Sequence, residues 1–111
     1  KVIAWLQPHG YAPTKFLRKD FVLELSAALR PQDEIWMSEI FYAGGTTVKD
    51  ISAADLVDDL RMLGKNAFFV EERNNLVKSM RSHFSHNCVL LLMGARDPSL
   101  EYFARQIWDE L

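Results

Sequence analysis

The chain has one cysteine, Cys88, among 111 residues, so an internal disulfide is excluded and no oxidising compartment is implied. A reduced, buried thiol in a cytoplasmic protein is the expectation, because Cys88 opens the apolar run CVLLLMG. No apolar run approaches the ~20 residues of a membrane span, and the start lacks the charged, apolar and small-residue series of a secretion signal. There is no excess of positive charge: 13 Lys and Arg stand against 15 Asp and Glu, a net charge of -2. Nucleic acid and anionic lipid therefore find no general attraction here, and any anion site has to be local. Internal repeats, low-complexity tracts and linkers are also missing. So is G-x-x-x-x-G-K-[ST], and with it a phosphate-binding loop of that kind. No acidic pair ends the first apolar run, which disfavours a phosphoacceptor receiver domain.

What is present is enough for a core: 49% of residues are hydrophobic and 12% aromatic, in a length that fits one domain. Four runs, VIAWL, EIWMSEI, NAFFV and CVLLLM, read as strands. Between them apolar residues recur at helical spacing. Phe16, Leu17, Phe21, Leu25 and Leu29 mark a helix ending near Arg30 and Pro31. Ser52 with Asp55 three positions on and Gly64 beyond the last turn delimit a second. Leu76, Val77, Met80 and Phe84 mark a third, and Ser99 caps a fourth, LEYFARQIWDEL. The alternation predicts an α/β, Rossmann-like three-layer α/β/α domain with a mainly parallel sheet covered on both faces. Trp5, Trp36 and Trp108 fall in periodic apolar runs and are expected in or at the edge of the core. The pairs Asp58–Asp59 and Glu71–Glu72 read as solvated faces.

In a parallel sheet the loops leaving the strands open on one edge, which is where ligands sit. Three of those loops are unusual: QPHGYAPT, EIFYAGGTTVKDIS and GARDPS. The loop after the third strand, ERN, is unremarkable. His9, Tyr42, Gly44, Gly45, Gly94, Arg96 and Asp97 are thereby expected on a common rim. His9 serves either as a ligand group near neutral pH or as a loop histidine bonded to backbone. Gly10 beside it calls for positive φ or close backbone approach. The paired glycines of AGGTT either admit an anion to backbone N–H groups or simply let a long loop turn. In MGARDPS, N–H donors at a helix start and the Arg96 fork suit a carboxylate or phosphate, against the plainer reading of an Arg96–Asp97 rim pair. His83, His86 and Cys88 do not read as a zinc site: a helix end and a buried strand separate them, and no fourth ligand is evident.

Taken in order, WLQPHGYAPTKFLRKDF, EIFYAGGT, DLVDDLRMLGK and VLLLMGARDPS resemble the C-terminal domain of the Mur ligases. That family reads Q-P-H-R-Y-x-R-T, D-V-Y-x-A-G-E and M-G-A-G at the corresponding places. The resemblance implies a bacterial, cytoplasmic, three-domain, ATP- and magnesium-dependent amide ligase of peptidoglycan synthesis. ATP phosphorylates a carboxylate, and the amine of an amino acid attacks the acyl phosphate. The C-terminal domain closes over nucleotide held by the central domain and presents the amino acid. The implied partners are the central and N-terminal domains, a UDP-sugar and an amino acid, with no nucleic acid and no membrane. This chain, residues 1–111, is then a fragment lacking the family domain's first strand and helix, and is expected to be inactive alone and to hold neither ATP nor magnesium by itself.

Site candidates implied for substrate or nucleotide binding are His9, Glu39, Tyr42, Gly44, Gly94, Arg96 and Asp97, with no catalytic residue and no metal ligand. The chain departs from the family pattern at Gly10 and Pro13, which replace two arginines, at Gly45 in place of an acidic residue, at Glu39 in place of aspartate, and at Arg96. The competing readings are a Mur-like binding or regulatory module without ligase activity and a free-standing flavodoxin-like small-ligand domain.

Overall fold

Each of the four apolar runs forms a strand in the computed structural model, which describes residues 1–41, 50–85, 87–94 and 99–110. The strands are β1 (Val2–Gln7), β2 (Glu34–Met37), β3 (Asn66–Phe69) and β4 (Val89–Gly94). The helices are α1 (Tyr11–Ala28), α2 (Ala53–Met62), α3 (Leu76–Met80) and α4 (Leu100–Glu110). Every pairing is parallel, in the order β3-β2-β1-β4. The chain therefore steps from β1 to β2 to β3 in one direction and returns to place β4 on the other side of β1. That reversal makes the space between the ends of β1 and β4 a topological switch point.

Alternation along β1 divides the core. Ile3 and Trp5 lie with Trp36, Leu76, Val77, Met80, Phe103 and Ile107 under α3 and α4. Ala4 lies with Ile35, Met37, Leu56, Val57 and Leu60 under α1 and α2. The two buried indoles each keep a partner for N–H: Trp5 Nε1 donates to Ser38 Oγ at 2.9 Å and Trp36 Nε1 to Glu34 Oε1 at 2.9 Å. Both are satisfied, as burial requires.

The helices depart from the expected bounds in informative ways. α1 begins at Tyr11, five residues before Phe16, because Gly10 supplies the N-cap at φ +79° and Pro13 sits in the first turn, where its missing N–H costs nothing. Phe16 is 88% exposed and stands off the buried stripe, which runs through Tyr11, Thr14 and Val22. α2 has the expected cap: Ser52 Oγ accepts from the Ala54 N–H at 3.1 Å, and the Asp55 carboxylate accepts from the Ser52 N–H at 3.0 Å. Gly64 follows at φ +78°. α3 is shorter than expected and is flanked by 3-10 turns at Arg73–Asn75 and Arg81–His83, where Asn, Ser and His compete locally with helix. Trp108 is 79% exposed, contrary to the core-edge expectation. The buried line of α4 is Leu100, Phe103 and Ile107, and Trp108 lies about 100° around the helix from Ile107. Cys88 is half-buried rather than buried.

β2 ends at Met37, short of the EIWMSEI run. Pro8 has no N–H to continue the ladder. Pairing resumes as an isolated parallel bridge between His9 and Phe41, with Phe41 N–H to the Pro8 carbonyl at 2.7 Å and Gly10 N–H to the Phe41 carbonyl at 2.9 Å. The offset is 37 − 6 = 31 in the ladder and 41 − 9 = 32 at the bridge, so one extra residue is inserted on the β2 side. Such a bulge bends the strand and re-aims its side chains.

Candidate functional site

The bulge shapes the rim. Gln7 ends β1 opposite Gly94 of β4, and beyond them Pro8, His9 and Gly10 turn the chain into α1. Between this turn, the first half of α1 and the end of β4 lies a cavity of about 360 Å³. Its floor is Leu6, Leu56 and Met93. Its walls are Pro8, His9, Pro13, Thr14, Leu17 and Phe21, with Gln7 and Gly94 at the strand ends. The cavity thus occupies the switch point, where an open α/β sheet is expected to take a ligand.

The polar groups at this rim are held in place. Gln7 Nε2 donates to the Glu39 carbonyl at 3.1 Å, while Gln7 Oε1 accepts from Arg73 Nη1 at 3.3 Å. Thr14 Oγ1 donates to the Gly10 carbonyl at 2.6 Å, closing the first turn of α1. His9 packs against Phe41, ring centroids 5.5 Å apart and tilted by 35°, and keeps part of its surface open to the cavity mouth. Gly10 needs its glycine twice over: its φ is positive, and a Cβ would stand 3.2 Å from Pro13 Cδ.

Of the residues singled out in the sequence, His9 and Gly94 line one cavity. Glu39 does not line it. Its Oε1 accepts from the N–H groups of Ile40 and Ala53, both at 2.9 Å, and its Oε2 accepts from Ser52 Oγ at 2.7 Å, so this carboxylate secures the start of α2. Tyr42, Gly44, Gly45, Arg96 and Asp97 lie outside the described residues. Arg73 was passed over in the sequence, where a single arginine in ERN carries no motif. The signal was in the topology: the exit of a third parallel strand has to open on the same rim as the others. His83, far from this rim, points Nδ1 at Glu34, 3.1 Å away.

Among the described residues no cationic side chain lines the cavity, and its walls are mostly carbon. That lining suits an apolar or ring-bearing group with one or two hydrogen-bond contacts. It does not suit a triphosphate with magnesium, which needs positive charge and hard oxygen donors.

No family model matches the chain. It is 32% identical over 91 residues to the UDP-N-acetylmuramate–L-alanine ligase of Lachnoclostridium phytofermentans, covering 82% of this chain and 19% of that protein. With the corresponding ligase of Thermotoga petrophila the identity is 35% over 97 residues, 87% of this chain and 20% of that protein. With that of a Synechococcus strain it is 27% over all 111 residues, 21% of the relative. Among solved structures, the UDP-N-acetylmuramate–alanine ligase of Thermotoga maritima superposes with a TM-score of 0.67 at 28% identity, covering 99% of this chain and 20% of that one. The chain is a divergent Mur ligase C-terminal domain. It spans about a fifth of the length of the curated relatives it matches. Within this Mur ligase domain described residues of all four motif stretches meet at this rim: the His9 turn, Glu39 and Phe41, Leu56, and the Gly94 strand end.

Proposed function

We propose that this Mur ligase domain serves as the C-terminal domain of an ATP-dependent ligase that joins a carboxylate to an amino-acid amine in peptidoglycan precursor synthesis. Its task is to close over nucleotide bound by a central domain and to present the amino acid. The observation that carries this reading is the cavity at the switch point, walled by the QPHG turn and the end of β4, in a domain with ligase relatives. The apolar walls give a surface that excludes water when a second domain covers it, and the hydrogen-bonded Gln7 and the His9 turn give that surface a fixed shape. No step of the chemistry is assigned to ATP or magnesium within this domain.

A second reading, a Mur-like binding module without ligase activity, is favoured by one observation. Gly10 stands where the family keeps an arginine, and at its positive φ, with Pro13 at contact, a larger residue does not fit without moving the turn. Purified full-length protein distinguishes the two. Orthophosphate release that requires ATP, magnesium, UDP-N-acetylmuramate and L-alanine together supports the ligase. Binding of any of these without turnover supports the module.

A further inference from the structure

Arg73 belongs to the 3-10 turn that follows β3, yet its guanidinium reaches across the rim to two other elements. Nη1 donates to Gln7 Oε1 at 3.3 Å, at the end of β1, and Nη2 donates to Ser99 Oγ, immediately before α4. Its Cζ lies over the ring of Phe103 in α4, 4.9 Å from the ring centroid. Phe103 in turn packs on the buried Trp5 of β1, ring centroids 4.9 Å apart. The guanidinium is therefore seated on the core and forks between the end of β1 and the start of α4. A planar fork with fixed donors can do this and an ammonium cannot.

Gln7 completes the link. Its amide is held at both ends, by Arg73 on the oxygen and by the Glu39 carbonyl on the nitrogen, and the Glu39 carboxylate fixes the start of α2. One line of hydrogen bonds thus runs from the exit of β3 through the exit of β1 to the exit of β2, with a branch to α4. Gln7 is followed directly by Pro8 and His9, the wall of the cavity.

We infer that Arg73 is the positioning residue of this rim: it sets the Gln7 amide, and through it the His9 turn, relative to the start of α4. It does not line the cavity, so its effect is on geometry rather than on ligand contact. The kinetic consequence rests on the ligase reading; the geometric one does not.

The test uses full-length protein bearing Arg73→Ala or Arg73→Lys, with glutamine side chains labelled by nitrogen-15 and the Gln7 signal identified by its loss in Gln7→Ala. The expected result is that the Gln7 side-chain amide shifts and exchanges with water at least about tenfold faster in both Arg73 variants, as a charge-assisted hydrogen bond is removed. Where the wild-type protein has ligase turnover, kcat falls about 10- to 100-fold in Arg73→Ala while KM values move by less than about threefold, with little rescue by Arg73→Lys. An unchanged Gln7 amide in a folded Arg73 variant overturns the inference. Should Arg73→Ala fail to fold, Arg73→Lys, which keeps the charge and the alkyl stem, decides by the same signal. A wild-type protein without turnover overturns the ligase reading alone, and the amide measurement still decides the role of Arg73.

Discussion

The two ends of the sheet hold their polar residues in different ways. At the amino end of the strands, Asp33 and Glu34 are buried and saturated with partners. Glu34 accepts from Trp36 Nε1 and faces Lys1 Nζ at 2.8 Å and His83 Nδ1 at 3.1 Å. Asp33 accepts from the Val2 N–H at 2.9 Å and from the Arg30 guanidinium at 3.0 Å. At the carboxyl end the Arg73 guanidinium and the Glu39 carboxylate tie strand exits to helix starts, and the polar side chains that line the cavity of about 360 Å³ are the uncharged amide of Gln7 and hydroxyl of Thr14 with the imidazole of His9. At one end charge closes the core beneath the strands, and at the other it ties the strand exits around shaped space. The lesson is that in this domain partnered charge marks structure at both ends, and the site is marked by the uncovered strand exits.

The largest expected effect breaks the closed end. Glu34→Ala leaves Lys1, His83 and the Trp36 N–H facing an empty acceptor position in a buried place, and unfolding free energy should fall by about 3–5 kcal/mol in a urea titration. A loss under about 1 kcal/mol, the range of a surface pair, would place Glu34 in the same class as the exposed bridges.

Acid should act on the same end. Burial opposes ionisation of Glu34, but its hydrogen bonds to Lys1, Trp36 and His83 prevail and lower its pKa. The Arg30 guanidinium, then the Val2 N–H, hold Asp33 well below the usual carboxylate range, and Arg18 lowers Asp59. For depressed carboxylates the stabilisation is in place above the unfolded value, about pH 4, and is lost as pH falls through the folded values. The melting temperature should therefore hold as pH falls towards about 4 and decline below it, and Asp33→Asn should make that decline shallower. An unaltered decline in the variant would remove Asp33 from this explanation.

Smaller effects are expected at the open end. Gly10→Ala forces an L side chain into positive φ against Pro13 and should cost about 1–2 kcal/mol, read by the same titration; a neutral result would mean the turn relaxes. Smaller again is Arg18→Ala on the outer surface. Its two hydrogen bonds to Asp59, at 2.7 and 2.9 Å, are partly exposed and should contribute no more than about 1 kcal/mol.

Much of the fold was legible in the sequence, and most of the exceptions share a cause. The strands, the Ser52–Asp55 cap and Gly64 are local features, written in adjacent residues, and the structure has them. Parallel alternation sufficed to put the His9 turn and Gly94 on one rim. The extra residue opposite Pro8, the engagement of Glu39 with α2 and the reach of Arg73 to Gln7 depend on register between strands distant in sequence, which no local pattern carries. Trp108 failed for a different reason: an apolar residue one step past Ile107 satisfies a run of apolar residues but not the helical period.

The most direct measurement is the kcat/KM of the proposed ligase reaction in full-length protein carrying His9→Ala, taken with its melting temperature. His9 forms the cavity wall and, among the described residues, has a backbone bridge and a ring contact with Phe41, so the rim account expects kcat/KM to fall at least about tenfold while the melting temperature moves by less than about 2 °C. Unchanged kcat/KM in an active, stably folded variant would contradict it and move the site away from the switch point.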